Sequence, residues 1–247
     1  MKRLYICSIG MELDDISVRT LRIIRSVDVV ANLILGVNEL VRFGVKKFVM
    51  LNEVIEKHKI KPYVKVGKKS DPKARLIISE IEKIFKRYDT VALLTNTNPL
   101  FLYRFNFDVF KYFSKKIRVE VYPSISSIDY FTHYVIVNFC YYLEDFIIFS
   151  FPCSIKSLIK EDLRDINIFI MYPYFFDKVT IKKLLSVYDE KDIFFTIKCS
   201  FYNNHDFFIK KYCFSFLEKV VNDIDPFTTL FIPSKDFVDK LDKRIKK

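Results

Sequence analysis

A chain of 247 residues with 51% hydrophobic and 29% charged side chains can bury one large core or two smaller ones, which excludes a disordered chain and a disulfide scaffold. Its formal charge of +11 is scattered, and the two dense runs, "KHKIKPYVKVGKK" at 57–69 and "DKLDKRIKK" at 239–247, lack RNP-like or zinc-finger spacing, so they read as solvated basic surface with no nucleic-acid partner expected. Five cysteines without a CxxC pair, three isolated histidines and no apolar run long enough to span a bilayer point to free thiols in a cytoplasmic protein, with no metal site and no membrane partner.

"LYICSIG" (4–10) is a short β-prone run closed by glycine, and "DDISVRTLRIIRSVD" after it repeats apolar residues at Ile16, Leu21, Ile24 and Val27, the spacing of an amphipathic helix. "DVVANLIL" (28–35) is apolar on both faces and "KKFVML" (46–51) is short and β-prone, as suits strands of a parallel sheet covered on both sides. "SDPKARLIISEIEKIFKRY" predicts a helix in which Ser70 or Asp71 caps, Pro72 stands at N1, and Leu76, Ile77, Ile81, Ile84 and Phe85 form one face. "TVALLT" (90–95) predicts a buried strand, "LFLYRFNFDVFKYF" a helix, and "IRVEVYP" (117–123) a strand ended by proline. The second half gives strands at 145–151, 167–173, 192–199 and 227–233 and helices near 177–187 and 235–245. The alternation predicts an α/β fold with two lobes, 1–122 and 123–247, divided at Pro123.

In such a sheet, ligands collect beyond the carboxyl ends of the strands. Three post-strand loops qualify, "SIGMELDD" (8–15), "TNTNPLF" (95–101) and "YPSISSID" (122–129), with small residues such as Gly10, Ser124 and Ser126 leaving room beside the backbone. No GxGxxG or GxxxxGK[ST] pattern is present and glycines number four, which disfavours a phosphate cradle and favours a nucleoside without phosphates.

The set "LYICSIGMELDDISVRTLRIIRSVDVV", "VALLTNTNPLFLY", "VEVYPSISSIDYF", "IFIMYPY" and "FTTLFIPSK", in this order over nearly the whole chain, resembles the tetrapyrrole-methylase superfamily of S-adenosylmethionine (SAM) methyltransferases. That resemblance implies an open, mostly parallel sheet in the first lobe and a mixed sheet in the second, with SAM bound in a cleft between the lobes, S-adenosylhomocysteine as product, and a homodimer. Three family turns are eroded: Gly10 matches one glycine of GxGxGD, Thr97-Asn98-Pro99 stands for GDP, and Pro123-Ser124-Ile125-Ser126-Ser127 stands for PGISS. In lacking the acid of GDP, in carrying Asp129 after the third turn, and in "TTLFIPS" and "EDFIIF", the chain is similar to the borosin-type peptide-backbone N-methyltransferases. The acceptor so implied is a separate ribosomal precursor peptide. A tetrapyrrole or other small-molecule acceptor is the alternative, as is a non-catalytic descendant that binds a peptide or protein.

On this resemblance Gly10 and Met11 line one wall of the SAM site, and Thr95, Thr97, Asn98 and Leu100 contact the donor's amino-acid or ribose part. Ser126 and Ser127 bond its carboxylate or ribose, while Met171, Tyr172, Thr228 and Thr229 hold the adenine. Each position also has a structural reading, such as a strand-ending turn at Gly10, a helix cap at Asn98 or Ser126, and core or sheet edge for the rest. An amide nitrogen is a poor nucleophile, so a peptide acceptor requires a base or a group that stabilises charge on the carbonyl oxygen. Tyr63, Lys73, Arg75 and Tyr103 are the candidates, set against a solvated helix face or aromatic packing. The borosin-type enzymes use an Arg and Tyr pair on the corresponding helix, and no tyrosine stands in register here.

Overall fold

The computed structural model describes residues 1–10, 13–60, 71–95, 104–126, 129–130, 132–133, 146–149, 163–171, 173–199, 207–225 and 228–245. The chain divides into two units, Met1–Ser126 and Ser127–Lys247.

In the first unit the elements follow as β1 (Arg3–Ser8), α1 (Val18–Ser26), β2 (Val29–Asn32), α2 (Val37–Arg42), β3 (Phe48–Met50), α3 (Leu51–Lys57), α4 (Pro72–Phe85), β4 (Thr90–Thr95), α5 (Arg104–Phe113) and β5 (Arg118–Tyr122). They build a five-stranded sheet in the order β3-β2-β4-β1-β5, in which every pairing is parallel. Side chains alternate across the pleat. Leu4, Ile6, Val29, Ala31, Val91 and Leu93 therefore face α4 and α5 through Ala74, Ile77, Ile81, Val109 and Phe113. Cys7, Val30, Ala92 and Leu94 face the other way, onto Ile24 of α1 and Leu40 of α2. Both faces being covered explains why these strands read as unbroken apolar runs.

Local chemistry sets the ends of several elements. Asp71 caps α4 by accepting from the Lys73 N–H at 2.8 Å, with Pro72 in the first turn, one of the two caps that the sequence offered. The strand expected at 28–35 stops at Asn32 instead. That buried side chain accepts from the Ile34 and Leu35 N–H groups at 3.3 and 3.0 Å and donates to the Leu35 carbonyl at 2.7 Å, a turn that takes the backbone out of the ladder. Two short helices, α2 and α3, fill the stretch for which the periodicity predicted nothing, because six or seven residues are too few to display a repeat.

The second unit contains β6 (Phe146–Phe149), β7 (Asn167–Met171), α6 (Lys178–Leu185), β8 (Ile193–Cys199), β9 (Phe207–Cys213), α7 (Leu217–Asp223), β10 (Thr228–Ile232) and α8 (Lys235–Ile245). Its sheet runs β6-β7-β10-β8-β9 and is mixed: β6 pairs with β7 in parallel, and the other pairings are antiparallel. One face buries Ile168, Ile170, Phe194, Leu230 and Ile232 against α6 and α7. The opposite face buries Phe169, Phe195, Ile197 and Phe231 against Phe237 and Leu241 of α8. Strand β9 and helix α7 were not foreseen. The adjacent Lys210 and Lys211 mask the alternation of β9, while α7 is anchored by Leu217, Val220 and Val221, an i, i+3, i+4 set covering a single turn. Among the described residues no helix is long and apolar enough to cross a membrane.

Candidate functional site

The three post-strand loops singled out in the sequence leave neighbouring strands at the same edge of the first unit's sheet. Strand β1 lies between β4 and β5, and its register pairs Ser8 with Thr95 and Cys7 with Tyr122. All three chains therefore leave the sheet side by side at their carboxyl ends, the edge where open parallel sheets hold ligands.

The first and third loops are tied together there. Gly10 has a φ of +87°, a conformation costly for any residue with a Cβ, and its N–H donates to Ser8 Oγ at 3.1 Å. A Cβ on Gly10 would stand 2.3 Å from Asp15 Cβ and 3.0 Å from Ser124 Oγ. Ser124 Oγ in turn donates to the Asp15 carbonyl at 3.0 Å. The lone glycine of the first loop is thus required by close packing of the chain on itself, and Ser124 closes the junction.

The second loop begins at Thr95, which is 1% exposed and whose carbonyl accepts from the Ile9 N–H at 3.0 Å. Its hydroxyl accepts from Asn106 Nδ2 on α5 at 3.0 Å. Asn106 is fully buried, and its Oδ1 has no hydrogen-bond partner among the described residues. A buried amide oxygen without a donor is unusual and costs about 1–3 kcal/mol. It lies one hydrogen bond away from a residue that the sequence placed in the cofactor site. Asn106 was missed; its signal was a single polar residue among the aromatics of "RFNFDVF".

Beneath this edge Cys7 is completely buried, and burial, with Glu120 adding to it, pushes its thiol up to about 12. A thiol of that kind is a neutral packing group and no nucleophile. Tyr122 at the end of β5 donates to Glu120, carries the Arg19 guanidinium 5.0 Å from its ring centre, and stacks on Tyr5.

Of the proposed catalytic residues, Lys73 and Arg75 lie in the first turn of α4. Lys73 is half-buried with its Nζ 4.3 Å from the ring centre of Phe105 on α5. Burial lowers the pKa of this ammonium, with Asp71 opposing the shift. The Asp71 N–H donates to Asp108 on α5 at 3.3 Å, so the starts of α4 and α5 pack together and bring Lys73 to the helix that carries Asn106. Arg75 is exposed. Ser126 ends the first unit. Met11, Tyr63, Thr97, Asn98, Leu100, Tyr103, Ser127 and Tyr172 lie outside the described residues.

In the second unit Met171 and Thr229 are directly opposed on β7 and β10, with Thr229 Oγ1 donating to Met171 Sδ at 3.5 Å. Thr228 donates through Oγ1 to Asp225 Oδ1 at 2.9 Å. The three residues share one end of that sheet, but Thr228 and Thr229 point to opposite faces, as neighbours in a strand must.

No protein-family model and no curated protein matches the chain. Solved structures do match. The chain superimposes on a uroporphyrin-III C-methyltransferase from Thermus thermophilus with a TM-score of 0.63 at 10% identity, over 99% of this chain and 96% of that one. A protein assigned as a diphthine synthase from Entamoeba histolytica gives 0.61 at 19% identity, over 98% of each chain. A uroporphyrin-III C-methyltransferase from Thermus thermophilus, complexed with S-adenosylhomocysteine, gives 0.59 at 12% identity, over 96% and 93%. The fold is therefore that of the tetrapyrrole methylases.

Proposed function

We propose that the protein is a SAM-dependent methyltransferase whose donor is held at the carboxyl edge of the first unit's sheet. The observation that carries this reading is the junction of Gly10, Thr95 and Ser124 at three adjacent strand ends, in a fold shared with methyltransferases. The residues suit such a ligand. The buried Asn106 Oδ1 is an acceptor in want of a donor, and SAM carries an ammonium group and ribose hydroxyls. Thr95, whose oxygen accepts from Asn106, carries a hydroxyl that is a donor as well as an acceptor. When bound, SAM supplies a methyl group on a sulfonium, which needs alignment and exclusion of water more than acid–base assistance.

For the acceptor we propose a backbone amide of a separate peptide. This finer reading is supported by the sequence features shared with the peptide N-methyltransferases, Asn98 in place of an acid and Asp129 after the third turn. The structural neighbours carry different names, uroporphyrin-III C-methyltransferase, cobalt precorrin-4 methyltransferase and diphthine synthase, so the fold alone does not choose among acceptors.

Thermal unfolding with SAM and S-adenosylhomocysteine tests the first reading. Ligand at a hundredfold excess over its Kd stabilises the folded state by about 2.7 kcal/mol. An unchanged midpoint at millimolar concentrations of both compounds rejects it. Intact mass of a candidate precursor peptide tests the second: stepwise gain of methylene units is expected, and an unchanged mass in a preparation that binds SAM rejects a peptide acceptor.

A further inference from the structure

The second unit holds a cavity of about 1000 Å³ between α7 and the strands β10, β8 and β9. Its floor follows from register. Thr228, Lys198 and Phe208 form one cross-strand row, Leu230, Thr196 and Lys210 the next, and Phe194 and Tyr212 the row after that. Phe194 and Leu230 belong to the core beneath α6 and α7, with Tyr212 packed against it. The same sheet face thus passes from sealed core to open, cationic surface within two rows.

Four lysines line the cavity, Lys198, Lys210, Lys211 and Lys219, against two carboxylates, Asp223 and Asp225. Lys198 is paired with Asp225 at 2.7 Å. The other three ammonium groups have no ion pair among the described residues and are exposed. Two large aromatics stand among them with much of their surface in solvent, Phe208 at 46% and Phe216 at 53%. Lysines on an edge strand also keep it from pairing with other sheets, yet that role requires neither the exposed rings nor Lys219 on the helix opposite.

We propose that this cavity binds an acidic, aromatic-bearing segment of the peptide acceptor. Lys211 follows Lys210 in the strand and turns its side chain to the other sheet face, so the unpaired ammonium groups on the cavity side are those of Lys210 and Lys219. They are complementary to carboxylates, and the exposed rings give apolar side chains a surface that water vacates. Asp225 is already engaged by Lys198 and the Thr228 hydroxyl, which leaves Asp223 as the cavity carboxylate on the same helix as Lys219. The size suits an extended segment: the stretch of β9 that lines the cavity, Phe208 to Cys213, spans roughly 20 Å at about 3.3 Å per residue. The proposal rests on the methyltransferase reading for naming the peptide as acceptor, and Thr228 belongs both to the cavity and to the expected adenine contacts. Binding is measured without SAM, so the two fail separately.

The test is fluorescence anisotropy of the full chain with a labelled ten-residue peptide of alternating glutamate and tyrosine. Binding is expected to weaken with salt and to fall at least tenfold in the double variant Lys210→Glu, Lys219→Glu. Both lysines are exposed, and retention of the thermal midpoint shows that the variant is folded. The matching glutamine–tyrosine peptide is expected not to bind. Equal binding by the charge-reversed variant or by the glutamine peptide overturns the proposal. So does tighter binding of a ten-residue oligouridylate, or displacement of the peptide by citrate at the same concentration. Peptide binding in a protein whose midpoint ignores SAM and S-adenosylhomocysteine supports the cavity while rejecting the methyltransferase reading.

Discussion

Replacing Gly10 by alanine is the sharpest test of how the site edge is built. An L-residue at a φ of +87° costs about 1–2 kcal/mol in backbone energy. The added Cβ would stand 2.3 Å from Asp15 Cβ, an atom fixed to the main chain that cannot swing aside. Relief requires moving the first loop away from the third, which breaks the 3.0 Å bond from Ser124 Oγ to the Asp15 carbonyl, worth about 0.5–1.5 kcal/mol. Gly10→Ala is therefore expected to lose roughly 2–3 kcal/mol in urea unfolding. Because the displaced loop is part of the proposed donor site, calorimetric affinity for S-adenosylhomocysteine should fall by at least about tenfold, equivalent to 1.4 kcal/mol. Ser124→Ala deletes only the bond and is expected to lose about 1 kcal/mol. Unchanged stability of Gly10→Ala refutes the steric reasoning. Lost stability with intact affinity shows that the junction is architectural and that the donor binds elsewhere.

Asn106→Leu deletes the unpartnered oxygen but leaves the Thr95 hydroxyl without its donor, two effects of about 1–3 kcal/mol and opposite sign, so it is expected to be near neutral, and adding Thr95→Val is expected to raise stability above wild type, read from a double-mutant cycle in urea. Asp28 Oδ2 accepts from the Asp89 N–H, the Thr90 N–H and the Thr90 hydroxyl at 3.1, 2.8 and 2.9 Å, bonds that hold its pKa below the ordinary 3.8, those from Thr90 foremost. A depressed carboxyl stabilises the fold above the unfolded pKa and loses that contribution as pH falls through the folded one. The gap between wild type and Asp28→Asn should therefore be present at pH 7 and close below pH 3.8, as urea midpoints across that range will show. The Lys73 pKa is also lowered, below 10.5, but chiefly by burial, which disfavours its charged form. Between its folded pKa and 10.5 the unfolded chain binds the extra proton, so this group favours folding increasingly as pH rises. Lys73→Met, which carries no such proton, should accordingly lose ground to wild type as pH approaches 10.5 in the same assay.

Most strand positions, the α4 cap and the α/β class were legible in the chain because they are local. An apolar run of strand length, an Asp-Pro before a helical repeat and a turn residue after each strand act within a few neighbours. The apolar runs 4–10 and 90–95 likewise end at Gly10 and Thr95. What tertiary structure alone decided was adjacency. That β1 lies between β4 and β5, so that the first loop meets two others 85 and 114 residues further along the chain, at Gly10, Thr95 and Ser124, is a property of pairing order, which alternation does not encode. The unsatisfied oxygen of Asn106 and the lysine-lined cavity beside β9 were hidden for the same reason. Each depends on which groups from distant segments arrive beside it, and a residue's neighbours in space are set by the packed whole.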